Sequence, residues 1–135
     1  MSLETDLAWL GGIIDGEGSI PINLKPKRGG YHFCRIIIVN TDEGLVAEVK
    51  RILDNLVIFY TTHIKPRSDL ASLTRKTCYI IEVNRQREAI ELAKLLLPYL
   101  KSYKRGRCLE VIEYEKIHTH DKIGRRLNLR HKKSL

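Results

Sequence analysis

The amino-acid sequence predicts one α+β domain with the element order helix, two strands, helix, two strands and further helices. Apolar residues recur at helical spacing near residues 3–15, 42–56 and 85–117, which indicates amphipathic helices. Residues 20–40 and 56–84 instead carry the alternating or continuous apolar runs that are typical of β-strands. With 135 residues, the chain is long enough for one compact domain with a core of its own.

The composition favours a polyanionic partner. The chain has 24 Lys and Arg residues against 16 Asp and Glu, a formal charge of +8, and a basic surface attracts nucleic acid. Cys34, Cys78 and Cys108 are far apart and odd in number, which indicates thiols in a reducing compartment rather than a disulfide framework. The sequence has no apolar run long enough to cross a bilayer and no N-terminal signal pattern. We therefore expect a soluble intracellular protein, in the cytoplasm or an organelle matrix, without a membrane partner.

The first predicted helix has two distinct faces. It begins near Leu3 and runs to about Asp15, with its apolar residues on one face: Leu3, Leu7, Leu10 and Ile14. The neighbouring face is almost bare of side chains: Ala8, Gly11 and Gly12. A glycine inside a helix costs on the order of 1 kcal/mol against alanine, so this face predicts close contact with another backbone. A helix that ends at Gly11 is the simpler alternative, but Ile13 and Ile14 continue the apolar pattern beyond it.

The rest of the chain divides into strands, helices and a tail. The first strand alternates at Ile20, Ile22 and Leu24, and a basic loop of residues 26–30 follows it. The other elements are predicted in this order: strand 31–40, a helix from its cap Asp42 to residue 56, strands 56–66 and 75–84, and helices 85–97 and 106–117. Residues 1–118 are assigned to the domain, and residues 119–135 to a mobile basic tail.

Residues 10–18 read LGGIIDGEG and close the first helix just before a strand-like segment. This stretch resembles the signature of the LAGLIDADG homing endonucleases, and Ser19 and Ile20 continue it in the usual way. The element order also fits the αββαββα order of that family over roughly residues 3–117. The resemblance implies a four-stranded, antiparallel, saddle-shaped sheet with helices on one face. It further implies an intron-encoded mobile element that cuts double-stranded DNA at a specific site.

The resemblance assigns the chemistry to Glu17. In the family the acid at this position binds a divalent metal ion, and the backbone carbonyl before it, here that of Gly16, assists. Phosphodiester hydrolysis uses hard cations that prefer carboxylate oxygens and water, so Mg²⁺ is the expected cofactor. Mn²⁺ is expected to substitute for Mg²⁺, and Ca²⁺ to support DNA binding without cleavage.

Two further catalytic positions carry over from the family. A polar residue that orders water near the metal falls on Asn40, with Thr41 as the alternative if the register shifts by one. The family also has a lysine near the attacking water, but its strict spacing lands here on Tyr103. We therefore assign that role to the adjacent Lys104. Lys101 is the other candidate, and both lysines can instead contact phosphates only.

A single copy of the signature implies a homodimer. The two signature helices are expected to pack side by side, so that two Glu17 carboxylates meet beneath the DNA minor groove and each serves one strand. The residues assigned to the dimer interface lie on the first helix: Ala8, Gly11, Gly12 and Asp15. Asp15 is expected to be mainly structural, through hydrogen bonds near the helix end. A two-fold protein predicts a palindromic or pseudo-palindromic target.

The sheet face away from the helices is the expected DNA-binding surface, because a major groove is wide enough to admit a β-ribbon. The family pattern puts Ile36 and Ile38 in the core, and Arg35 and Ile37 on the DNA side. The candidate DNA-binding residues are mostly basic: Asn23, Lys25, Lys27, Arg28, Arg35, His63, Lys65, Arg67, Arg75 and Lys76. Arginine and lysine read guanine edges and asparagine reads adenine, although part of this set is expected to contact phosphates only.

Two other functions stay open on the sequence alone. An intron maturase or a DNA-binding regulator would keep the fold and bind nucleic acid, including its own intron RNA, without cutting it. A basic structural domain would bind every DNA alike, with an affinity that falls steeply with salt. His118, His120 and Asp121 offer a transition-metal site as an alternative, but an HxH pair in a basic tail does not by itself indicate one.

Overall fold

The computed structural model describes residues 2–23, 33–66 and 76–116. Within these ranges it confirms the α+β class and the antiparallel four-stranded sheet. In chain order the elements are α1 (Leu3–Glu17), β1 (Gly18–Ser19), β2 (Ile22–Asn23), β3 (Phe33–Cys34), β4 (Ile36–Asn40), α2 (Glu43–Asn55), β5 (Thr61–Lys65), β6 (Cys78–Val83), α3 (Gln86–Leu96) and a 3₁₀ turn (Leu97–Tyr99). A further helix, α4, covers residues 103–116. The assigned tail, residues 119–135, lies outside the described residues.

The sheet has the strand order β1-β4-β6-β5, and β2 pairs with β3 as a separate two-stranded ladder. The first two predicted strands are therefore each divided in two. Pro21 has no N–H to donate to a ladder, but its carbonyl accepts the Arg35 N–H at 3.1 Å. This hydrogen bond carries the pairing across the interruption, so that the β2–β3 ladder extends the main sheet.

The core lies between one face of the sheet and the helices. The sheet contributes four buried side chains from its central strands: Ile36, Ile38, Ile81 and Val83. Helix α1 buries three of the four residues predicted for its apolar face: Leu7, Leu10 and Ile14. The prediction was wrong for Leu3, which is 56% exposed because it lies in the first turn of α1, beyond the core. The helix also runs two residues past the predicted end at Asp15, so Gly16 and Glu17 are helical.

Helix α2 begins at the predicted cap and ends in a strained turn. The Asp42 carboxylate accepts the Leu45 N–H at 3.1 Å, as an N-cap does. At the other end, the N–H groups of Val57 and Ile58 donate to the carbonyls of Asp54 and Leu53, both at 3.0 Å, in a Schellman motif. This motif needs a left-handed residue, and Val57 supplies it with a φ of 57°. A β-branched residue rarely adopts this conformation, and Val57 is 85% exposed, so packing does not compensate for the strain.

Replacing Val57 with glycine is expected to stabilise the protein by about 1 kcal/mol, because the left-handed region is strained by roughly 1–2 kcal/mol in residues with a Cβ and the greater freedom of unfolded glycine offsets part of the gain. Urea denaturation monitored by circular dichroism measures the difference. Val57→Ala is the matched control, since it removes the two exposed γ-methyl groups but keeps the Cβ. A glycine variant no more stable than the alanine variant would contradict the strain.

The three cysteines are free, and two of them are buried in the core. Burial, with a smaller contribution from the nearby Cys108, raises the pKa of the Cys34 thiol to about 12. Burial also raises the pKa of Cys108 to about 11, so both thiols stay protonated at neutral pH and are poor nucleophiles. None of the helices in the described ranges has the length and apolar character that a bilayer span requires.

Candidate functional site

Glu17 and Asn40 meet where α1 ends and β4 ends. The Asn40 Nδ2 amide donates to Glu17 Oε2, while Asn40 Oδ1 accepts the Asp42 main-chain N–H at 2.8 Å. Because Oδ1 is occupied by the start of α2, the amide nitrogen is the group that faces the carboxylate. The structure thus brings together two residues that the sequence placed in one site, and it gives this contact to Asn40 rather than to Thr41.

Strand pairing explains why these two side chains meet. Gly18 leads directly from α1 into β1, and it pairs with Ile38, two residues before Asn40. A Cβ at Gly18 would lie 2.9 Å from the Ile14 Cα, a separation that real Cβ atoms do not show. Glycine is therefore required where the chain leaves the helix and turns into the sheet. Gly16 and Glu17 remain exposed on the other side of this junction.

Asp15 is held by the start of α4, which confirms that its carboxylate has a structural role near the helix end. It accepts the main-chain N–H groups of Lys101 at 2.6 Å and Ser102 at 3.0 Å, and also the Ser102 hydroxyl. Burial would raise the pKa of the Asp15 carboxyl, but these hydrogen bonds and the charge of Lys104 outweigh it and lower the pKa below its ordinary value. They also explain why α4 starts at residue 103, three residues before the predicted start.

Lys104 does not lie where the family's catalytic lysine was expected. Only 6% of it is exposed, and its Nζ donates to the carbonyl oxygens of Ile14 at 2.7 Å and Asp15 at 2.8 Å. The ammonium therefore caps the C-terminal turn of α1 and is directed into the protein rather than toward a substrate. The side chains of Asp15, Ser102 and Lys104, which join α1 to α4 in this way, are called the terminal clamp below. Tyr103, where the strict family spacing falls, is 69% exposed.

Part of the bare face of α1 packs against another segment of the same chain. Gly11 is buried against the same chain, since a Cβ there would lie 2.8 Å from the Tyr99 Cβ. The assignment of Gly11 to a dimer interface is therefore corrected. Gly11 instead allows the turn that follows α3 to approach the backbone of α1 closely. Ala8 and Gly12 remain exposed, and nothing lies within 4 Å of a Cβ built at Gly12. Trp9, which the sequence reasoning missed, is exposed beside them.

The strand register places several predicted DNA-binding residues on the sheet face away from the core. Because Ile36 and Ile38 are buried, the intervening side chains of β4 point outward. Across the sheet, Ile37 pairs with Glu82 and Val39 with Ile80. The exposed or half-exposed candidates within the described residues are Asn23, Arg35, His63, Lys65 and Lys76. The other five lie outside the described residues: Lys25, Lys27, Arg28, Arg67 and Arg75.

Glu82 is an acidic member of this face that the sequence reasoning missed. Its carboxylate lies 3.5 Å from the Arg35 guanidinium, and only 17% of its side chain is exposed. The signal was present in the sequence, since Glu82 alternates with Ile81 and Val83 and so had to face away from the core. The ion pair is one of the contacts that orient Arg35 on this face.

Comparison with known proteins gives one family and one fold. Residues 4–97 match the model of the LAGLIDADG-like domain family. The homing endonuclease I-CvuI, solved with its target DNA and calcium, is similar at 17% identity and a TM-score of 0.59, covering 82% of this chain and 66% of its own. The archaeal intron-encoded homing endonuclease I-Vdi141I, solved with DNA, is similar at 16% identity and a TM-score of 0.54, covering 93% and 74%.

Two further findings complete the comparison. A second I-CvuI structure, with the I-CreI target and magnesium and described as having DNA not cleaved, matches at 18% identity, a TM-score of 0.55 and coverages of 82% and 66%. No match is found among curated protein sequences. This chain spans about two thirds of the length of the I-CvuI chain, and at these identities the structural matches show the fold.

Proposed function

The chain belongs to the family of LAGLIDADG-like domains, and we propose that it is a site-specific endonuclease that cuts both strands of DNA as a homodimer. The observation that carries the proposal is the pairing of Glu17 with Asn40 at the tip of the signature helix. It sets an exposed carboxylate beside the end of β4, the strand that Arg35 directly precedes. A cutting group and a candidate DNA-reading surface therefore adjoin each other.

The residues at this tip suit a hard divalent cation. The donors available from one chain are the Glu17 carboxylate and nearby main-chain carbonyls such as that of Gly16, and Mg²⁺ and Ca²⁺ prefer such oxygen ligands. When bound, Mg²⁺ would activate water and stabilise the leaving oxygen of the phosphodiester. Solved structures of I-CvuI with calcium and with magnesium support the choice of a divalent ion.

Asn40 and the junction around it prepare the carboxylate for this role. The amide of Asn40 donates to Glu17 Oε2 and so holds the carboxylate at one oxygen. Its own orientation is fixed by the Asp42 N–H, so the pair needs little rearrangement on binding. Such preorganisation lowers the cost of placing reacting groups. Glu17 is accordingly proposed as the metal ligand and Asn40 as the residue that orients it.

The homodimer follows from the small number of ligands in one chain. No group of three His, Cys, Asp or Glu side chains suited to holding a metal lies within the described residues. A second copy of α1 packed on the exposed face of the first would bring a second Glu17 to the site. Of the residues assigned to this contact, Ala8 and Gly12 are exposed, and we add the exposed Trp9 and Gly16. Asp15 is left out, because its carboxylate is held within the chain by Lys101 and Ser102.

The outward sheet face is proposed to lie in the major groove of each half-site. His63 and Lys65 are exposed on β5, and Arg35 is exposed just before β4. The net charge of +8 favours a polyanion. The apolar side chains of Val39 and Ile80 lie between them and can contact thymine methyl groups. The face thus offers both phosphate contacts and base contacts, which a site-specific protein requires.

Arg35→Ala is expected to lower discrimination at one base pair of each half-site by about 10- to 100-fold, since one bidentate arginine contact contributes roughly 1–3 kcal/mol. Glu82→Gln is expected to reduce the same discrimination while binding to unrelated DNA tightens, because Arg35 loses the carboxylate that orients it. Competition binding in Ca²⁺ with single-base variants of the target measures both. Glu113→Gln, an exposed change of equal charge on α4, is the control. Equal weakening on all DNA would contradict base reading.

The test of the proposed function is selection of cut sites from a library of randomised palindromic duplexes, with Mg²⁺ or Ca²⁺. Cutting at one two-fold symmetric sequence, dependent on Mg²⁺, is the expected result. A site that is bound but never cut would instead indicate a maturase or a DNA-binding regulator. Binding without any site preference would indicate a basic structural domain and overturn the proposal.

A further inference from the structure

In the terminal clamp, one charged side chain from each of the two helices binds main-chain groups at the end of the other helix. Asp15 belongs to the last turn of α1, and its carboxylate accepts N–H groups that precede α4. Lys104 belongs to the first turn of α4, and its ammonium donates to carbonyls in the last turn of α1. A negative charge at a helix N-terminus and a positive charge at a C-terminus are both favoured by the helix dipoles. The two helix ends are therefore fixed to each other through main chain as well as side chains.

The clamp acts directly beside the proposed metal ligand. Lys104 binds the carbonyl of Asp15, which lies two residues before Glu17. Beyond that carbonyl, Gly16 is exposed and carries no side chain that could hold the tip of α1. On the opposite side, the tip is held by Asn40 and by the pairing of Gly18 with Ile38. The position of Glu17 therefore depends on the clamp on one side and on the sheet on the other.

We propose that Lys104, together with Asp15 and Ser102, is a positioning residue that sets where the Glu17 carboxylate lies. This inference rests on the proposed endonuclease function and departs from the family expectation, in which a lysine of this region lies near the attacking water. Lys104 does not touch the reacting atoms, because its ammonium is directed to two backbone carbonyls and is buried. It acts through the backbone of the metal-binding turn.

A purely structural role and a positioning role make different predictions. Lys104→Met keeps the apolar stem of the side chain but leaves the carbonyl oxygens of Ile14 and Asp15 without their donor, so it is expected to be folded but less stable than the wild type. If Lys104 only stabilised the fold, Lys104→Met would leave a folded enzyme with ordinary metal affinity. If the clamp positions Glu17, the same variant is folded but binds the metal poorly, because removing groups that orient a metal ligand lowers metal affinity.

The experiment compares Lys104→Met, Lys104→Arg and Ser102→Ala with the wild-type protein. Three quantities are measured on the full chain: the single-turnover cleavage rate with Mg²⁺ at saturating protein, the affinity for target DNA without divalent ions, and the affinity of the DNA complex for Ca²⁺ by calorimetry. Lys116→Met is the matched control, because it removes an exposed lysine from the same helix. The Ca²⁺ titration does not depend on cleavage.

Lys104→Met is expected to slow cleavage and to weaken Ca²⁺ binding by about 10- to 100-fold each, the range found when groups that orient metal ligands are removed. DNA affinity without divalent ions should be unchanged, and the rate should recover partly in Lys104→Arg, which retains the charge and donors. Ser102→Ala should show the same pattern more weakly, since it removes only the hydroxyl that donates to Asp15. Lys116→Met should match the wild type in all three measurements.

Several outcomes would overturn the proposed positioning role of the terminal clamp. Wild-type rate and Ca²⁺ affinity in Lys104→Met, or in Ser102→Ala if the lysine variant does not fold, would remove it while leaving the endonuclease intact. A slowed rate with unchanged Ca²⁺ affinity, not recovered in Lys104→Arg, would make Lys104 a catalytic residue instead. A wild-type protein that cuts no site would overturn the endonuclease function and this inference together.

Discussion

Glu17→Gln is expected to abolish DNA cleavage while target binding in Ca²⁺ changes by no more than about threefold, well under 1 kcal/mol. Glutamine has the size of glutamate and keeps an oxygen that can accept the Asn40 amide, so the junction of α1 and β4 should survive. It lacks the charge that a hard cation requires. The cleavage rate should fall at least about a thousandfold, equivalent to roughly 4 kcal/mol of transition-state stabilisation.

Single-turnover cleavage of the selected target, followed at saturating protein with Mg²⁺, measures this loss directly. Glu113→Gln is the matched control, since it also replaces one exposed glutamate but lies on α4. Gel-shift titration of both variants in Ca²⁺ shows whether binding is retained. Cleavage at the wild-type rate by Glu17→Gln would remove Glu17 from the chemistry. Loss of both cleavage and binding would mean that the substitution disturbed the fold.

The family resemblance selected Glu17 and Asn40, and their places in the fold could be predicted because each lies at the end of an element with a clear apolar pattern. The apolar helix ends at the acidic tip, and an uninterrupted apolar strand ends at Asn40 just before the cap Asp42. Hydrophobic periodicity indicates such boundaries to within a few residues. Because Gly18 pairs with Ile38, the ends of α1 and β4 lie side by side, and the side chains of Glu17 and Asn40 come into contact.

The roles of Gly11 and Lys104 could not be predicted, because they depend on which distant element packs against α1. Spacing along a helix shows which residues share a face but not what that face meets. The turn that covers Gly11 contains Tyr99, which is remote in sequence. Lys104 was likewise assigned by its distance along the chain from other family positions. Its direction is set by the carbonyls of Ile14 and Asp15, which only the packing of α4 on α1 reveals.

Gly12→Leu is expected to dissociate the homodimer and, as a consequence, to eliminate cleavage of both strands. Within one chain nothing lies within 4 Å of a Cβ at Gly12, so leucine can be accommodated in the monomer. In the proposed dimer the same position faces the partner's α1, where a leucine would force the two helices apart. Overpacking of this kind costs about 1–3 kcal/mol or more, and the dimer dissociation constant should rise by roughly 10- to 100-fold or beyond.

Gly106→Leu provides the matched control for this prediction, because Gly106 also lies on a helix with nothing within 4 Å of a built Cβ. Both leucines favour helix over glycine by about 1 kcal/mol, so neither variant should unfold more readily than the wild type. Sedimentation velocity across a protein dilution series then separates the two. Gly12→Leu should sediment as one chain at concentrations where Gly106→Leu and the wild type sediment as two. Because one chain carries a single signature acid, the monomeric variant should lose double-strand cleavage. If Gly12→Leu remains a dimer, the dimer interface does not include Gly12.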